Sequence, residues 1–105
     1  MRAVYKLPGC PAKIMQVPND LKTLQKLVDG NIETVTIDPT EHSIFEKTVI
    51  IICNEEGKLK GLKPNFYSGA VQDVICGPVV FVGEKGEDFG SLDGKDAQII
   101  CEQLK

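Results

Sequence analysis

Thr48 and the five apolar residues Val49-Ile50-Ile51-Ile52-Cys53 form a run bounded by Glu46-Lys47 on one side and Asn54-Glu55-Glu56 on the other. It is far too short to cross a membrane as a helix, which takes about 20 apolar residues. Its β-branched side chains and lack of alternation specify a strand covered on both faces or lying at the centre of a sheet. Such a strand cannot stand alone. Its neighbours and covering layers must come from the rest of a 105-residue chain, which is enough for a single domain spanning residues 1–105 but not for two independent cores. With 42% hydrophobic and 26% charged residues, the chain can bury a core without disulfide or metal staples.

The neighbours can be read from local pattern. Ala3 to Leu7 and Lys13 to Val17 alternate apolar and polar residues around Pro8-Gly9-Cys10-Pro11, which predicts an opening hairpin. Asn19 is placed as an N-cap, and Leu21, Leu24, Leu27 and Val28 follow at helical spacing until Gly30 supplies a left-handed stop. Ile32, Val35 and Ile37 lie in a β-rich stretch ended by Asp38-Pro39. Asn54-Glu55-Glu56-Gly57 has the order of a type I turn closed by glycine at positive φ, from which Lys58 to Leu62 should turn back as a strand. Lys63 to Gln72, with Pro64, Asn65, Ser68 and Gly69, reads as an irregular surface segment. Asp73 to Cys76 and Val79 to Val82 read as one strand kinked at Gly77-Pro78, and Gly83-Glu84-Lys85-Gly86 as the next turn. Asp93 caps a final helix, with Leu92 and Ala97 as a hydrophobic staple and Ala97, Ile100, Cys101 and Leu104 as its apolar stripe. The expected architecture is α+β, a mostly antiparallel sheet with two amphipathic helices packed on it.

Charge and reactive side chains narrow the function. The formal charge is −3, with five basic and two acidic groups in residues 1–30 and seven basic and thirteen acidic in the remainder. That balance opposes nucleic-acid binding, and the acidic surplus is too thin to imitate a phosphate lattice. No signal-peptide core can be drawn before the charges at Arg2 and Lys6, so a cytoplasmic protein without membrane partners is expected. Cys10, Cys53, Cys76 and Cys101 contain no C-x-x-C pair, and with one histidine they make a poor metal set, so no metal or cofactor is implied. Three of them follow isoleucine and read as buried thiols, whereas Cys10 sits in an exposed turn. A Cys53–His42 dyad is the one nucleophilic pairing available, and nothing in the spacing brings the two together. Gly83-x-x-Gly86 lacks the Lys-Ser/Thr ending of a phosphate loop and precedes Glu87 and Asp88.

The segment Cys53 to Asn65 (CNEEGKLKGLKPN), followed by Asp73-Val74-Ile75-Cys76-Gly77 and Gly86-Glu87-Asp88-Phe89-Gly90-Ser91-Leu92, resembles the domain of unknown function 3846 family. With the opening hairpin and first helix, the likeness covers nearly the whole chain. It implies a small protein of bacteria, their phages and mobile elements, without an assigned activity. The chain departs from the family pattern in Phe66, where a basic residue is expected after Asn65, and in the Pro39 to Lys47 loop. A shared binding surface would fall on Asn54, Glu56, Lys58 and Asn65, with Asp73 and Asp88 second, although turn geometry also accounts for Asn54 and a loop cap for Asn65.

Three functions compete. The first is a non-enzymatic module binding a host or element-encoded protein through a strand edge, an apolar patch or the Pro64 to Ala70 loop, with Phe66 and Tyr67 as anchors. The second is a sequestering protein for a small anionic, nucleotide-like ligand held by Lys58, Lys60 or Lys63, with a pocket between the subunits of a homodimer or larger oligomer. The third is a cysteine/histidine enzyme.

Overall fold

The computed structural model describes residues 1–41 and 43–105. It is α+β: strands β1 (Arg2–Lys6), β2 (Lys13–Gln16), β3 (Ile32–Ile37), β4 (Val49–Asn54), β5 (Pro64–Ser68), β6 (Asp73–Cys76), β7 (Val79–Lys85) and β8 (Asp88–Gly90), with helices α1 (Leu21–Val28) and α2 (Gly94–Gln103). The main sheet runs β2-β1-β7-β4-β3, with β8 paired to the far end of β7, and β5 and β6 form a separate two-stranded sheet. The strand pairs are antiparallel. No described helix is long and apolar enough to cross a membrane.

All six residues of β4 are buried, because the sheet is covered on both sides. Alternate residues divide between two apolar clusters. Val49, Ile51 and Cys53 join Val4, Val79 and Phe81 with Ala97 and Ile100 of α2 and Ile75 of β6. Ile50 and Ile52 join Ala3, Val80 and Val82 with Leu24 and Val28 of α1. The period of two along each central strand thus supplies two cores from one sheet.

The opening hairpin, the β3 stretch and the Asp93 cap stand as expected. Asp93 accepts from the N–H groups of Lys95 and Asp96 at 3.0 and 3.2 Å, and Leu92 and Ala97 are fully buried. The first helix is capped one residue later than expected. Asp20, not Asn19, accepts from the Thr23 N–H and hydroxyl at 3.0 and 2.7 Å, and these bonds hold its carboxyl below the usual range. Asn19 instead donates to Asp88 and to the Phe89 carbonyl. At the other end Asp29 takes the left-handed conformation, with φ 62°. Gly30 is needed for room, since a Cβ there would lie 2.6 Å from the Asn54 amide nitrogen. Leu21, although at helical spacing, is exposed.

The middle of the chain departs most from expectation. Lys58 to Leu62 does not return as a strand: residues 55–61 coil through turns, with Lys60 N–H donating to Glu56 and Leu62 N–H to Gly57. Gly61 (φ 68°) takes the positive φ expected of Gly57. Gly57 is a contact glycine, since a Cβ would stand 2.4 Å from the Cys76 carbonyl oxygen. Pro64 to Ser68 is a strand rather than an irregular segment, paired with β6. Asp73–Cys76 and Val79–Lys85 belong to different sheets, because Gly77 turns the chain between them at φ 94°. β7 continues through Gly83 to Lys85, so the expected turn shifts to Gly86 (φ 62°).

Candidate functional site

Each polar residue of the distinctive motif can be followed to its partners. Asn54 ends β4 and is buried. Its amide donates to the carbonyls of Val28 (3.1 Å) and Asp29 (2.9 Å), while its Oδ1 accepts from Glu56 N–H at 2.7 Å. It closes the end of α1 and starts the 55–61 turns, and both ends of its amide are consumed. Asn65 clamps β5 by donating to the Lys6 and Gly77 carbonyls, both at 2.8 Å, and its Oδ1 is buried with no donor among the described residues. The two asparagines therefore hold the covering hairpin and α1 in place.

Lys58 and Asp73 are exposed and form an ion pair. The Lys58 ammonium first, and then the Val74 N–H, draw the Asp73 carboxyl below its ordinary range. With Asn54 and the exposed Glu56 they border a cleft of about 240 Å³, also lined by Glu33, Cys53 and Cys76. Asp88 lies elsewhere, on β8, accepting from Asn19 and from Phe89 N–H. Four of the six expected residues thus share a cleft, whereas Asn65 and Asp88 do not line it.

Cys53 is buried, and its thiol donates to the Glu33 carbonyl at 3.7 Å. Burial, reinforced by the Glu33 charge, pushes its pKa up to about 11, which suppresses the thiolate a nucleophile requires. His42, and with it the Cys53–His42 pairing, lies outside the described residues. Cys10 is exposed as expected, but Cys76 and Cys101 are only half-buried. Among the described residues no three His, Cys, Asp or Glu side chains are grouped to hold a metal ion.

A larger groove of about 710 Å³ opens on the same face of the sheet, between β5, residues 43–45 and the end of α2. Ile51, Phe81 and Ile100, all buried, form its floor. Phe66 stacks on Phe81 with ring centroids 5.7 Å apart, while Tyr67 and Ile44 on the rim are 64% and 63% exposed. The loop wall is held by Asp96, fully buried on α2, whose two oxygens accept from the N–H groups of Glu46 (2.7 Å) and Lys47 (3.0 Å). Phe66 and Tyr67 stood out in the sequence of this segment, but the groove did not. Its one further signal is Ile44-Phe45, two large apolar residues in an otherwise polar loop.

A family model described as Domain of unknown function (DUF3846) matches residues 1–105. No match was found among curated proteins or among solved structures.

Proposed function

Since the chain belongs to the DUF3846 family, whose description assigns no function, we propose from its own geometry that it is a non-enzymatic module that binds another protein in the groove between β5, residues 43–45 and α2. The observation that carries this reading is the groove's makeup: a buried apolar floor continuous with the core, beneath the exposed side chains of Ile44 and Tyr67. An aromatic anchor beside a desolvated pocket is the form that binding hot spots take. The partner is a host or element-encoded protein met in the cytoplasm, in keeping with a bacterial phage or mobile-element setting.

The smaller cleft gives less support to the sequestering of a nucleotide-like anion. Glu33, Glu55, Glu56 and Asp73 line it against Lys58, and Lys58 is already bonded to Asp73. The unfavourable state of the Cys53 thiol likewise gives the enzyme reading little support.

The test is affinity capture from host lysate followed by titration of the purified captured protein against the native chain and Leu104→Lys. Leu104 is half-buried at the groove's edge, so the charge should weaken binding at least about tenfold while the fold, followed by circular dichroism, is retained. Equal affinity for both chains would refute the groove as the site.

A further inference from the structure

The main sheet has two open edges, and they differ. β2 spans four residues, carries Lys13 and is flanked by Pro11 and Pro18, features that blunt an edge against pairing. β3 is longer and carries no Lys, and a proline stands only beyond its end, at Pro39. It runs six residues in unbroken register with β4, from Ile32 opposite Asn54 to Ile37 opposite Val49. Five of the six are β-branched, and the strand contains no Lys, Pro or bulge. Among the described residues no other element supplies a backbone hydrogen bond to its outer side.

Exposed apolar side chains gather at both ends of this strand. The small cleft meets β3 at Glu33 and Val35 and is lined by Leu59 and Val71, which are 86% and 41% exposed. The groove meets β3 at Thr36 and Ile37 and carries Ile44 and Tyr67. Antiparallel self-pairing about a twofold axis perpendicular to the sheet keeps each face on its own side. Centred on Val35, it sets Glu33 opposite Ile37 and Thr34 opposite Thr36, so no two carboxylates face one another. It also brings Leu59 and Val71 of one copy toward Ile44 and Tyr67 of the other. Backbone pairing of Glu33 to Ile37 is too small an interface alone, and these side chains supply the apolar area that a stable one requires.

We propose that the partner of the β3 edge is a second copy of this chain, paired antiparallel strand to strand so that the small cleft of each protomer adjoins the groove of the other. The pairing draws on the groove's rim at Ile44 and Tyr67 and leaves its floor of Ile51, Phe81 and Ile100 open, so a bound protein and the second copy would share that rim.

The experiment is light scattering and sedimentation of the full chain over a wide concentration range. The native chain should show twice 11.5 kDa, dissociating on dilution. In the register centred on Val35, Thr34→Lys/Thr36→Lys places exposed lysines opposite one another, and should return the single-chain mass or raise the dissociation midpoint at least about tenfold. Ile14→Lys on β2 should leave the dimer intact. Circular dichroism of the double variant should match the native chain, and amide exchange in native β3 should quicken on dilution if the strand is an interface. A single-chain mass for the native protein at every concentration, a dimer indifferent to Thr34→Lys/Thr36→Lys, or one broken instead by Ile14→Lys would overturn the proposal. A dimer that persists in Leu104→Lys while that variant loses its captured protein would separate this interface from the groove.

Discussion

The two faces of the central sheet are closed by different means. On one, Leu24 and Val28 of α1 join Ala3, Ile50, Ile52, Val80 and Val82. The helix end is fastened by Asn54 and by the Tyr5 hydroxyl, which donates to the Leu27 carbonyl at 2.7 Å. On the other, α2 shares the cover with the β5–β6 hairpin and residues 43–47; the groove lies between those pieces, and the cleft between β6, the 55–61 turns and β3. A face covered by one helix is sealed, whereas a face covered by pieces leaves concavities with apolar floors. Concavities of that kind are where proteins in general bind ligands and partners.

The contrast can be broken most strongly at the sealed face. Leu24→Ala removes a side chain that is 1% exposed and should cost about 2–5 kcal/mol in urea denaturation. Both faces should then be lost in one transition, since β4 belongs to both clusters. Asp96→Ala should cost about 2–3 kcal/mol, because two N–H groups lose a charged acceptor. Amide exchange should rise at Glu46 and Lys47 while α1 stays protected, and Asp96→Asn should recover part of the loss. Gly57→Ala forces a Cβ against the Cys76 carbonyl and should cost about 1–3 kcal/mol, with the added exchange confined to 55–61 and β6 if the covered pieces loosen independently of α1.

The smallest effect at neutral pH is at Cys53. Its folded pKa of about 11 lies above the ordinary 9.0, so its contribution to stability is intact below pH 9 and is lost as pH rises toward 11. Thermal melts across that window should show a decline that Cys53→Ala reduces, with the raised Cys101 thiol and Tyr5 phenol supplying the remainder. Alkylation of the native protein should modify the exposed Cys10 first, because Cys53 carries about a hundredfold less thiolate than an ordinary thiol at the same pH.

What the sequence revealed divides along the same line as the two faces. β4, the opening hairpin, α1 and α2 are specified by signals within a few residues: an apolar run, alternation, helical spacing, a capping aspartate. The β5–β6 hairpin was hidden because its determinants are remote. Gly57 is small to admit the Cys76 carbonyl, Gly77 turns the chain between sheets, and Asn65 bonds to Lys6, 59 residues away. For the same reason the candidate residues took different parts on folding. Asn54 and Asn65 proved to be fasteners, and only Glu56, Lys58 and Asp73 reached an open surface together. Phe66 and Tyr67 stood out in the sequence, but nothing near them pointed to the loop and helix that complete the groove, since Asp96 reaches back 50 residues to hold that loop.

The register that sets Val4 opposite Phe81 has a consequence for how the protein is made. The first hairpin finds its permanent neighbour only after β7 leaves the ribosome, and β4 waits for the same strand. Until then two apolar ribbons coexist without the piece that goes between them. Closing contacts so distant in sequence is slow and leaves nascent edges open to wrong pairing. Expression at lower temperature or with slowed translation through β7 should therefore change the soluble yield more than any surface substitution, and the insertion of that one strand is the step at which synthesis commits to the native arrangement.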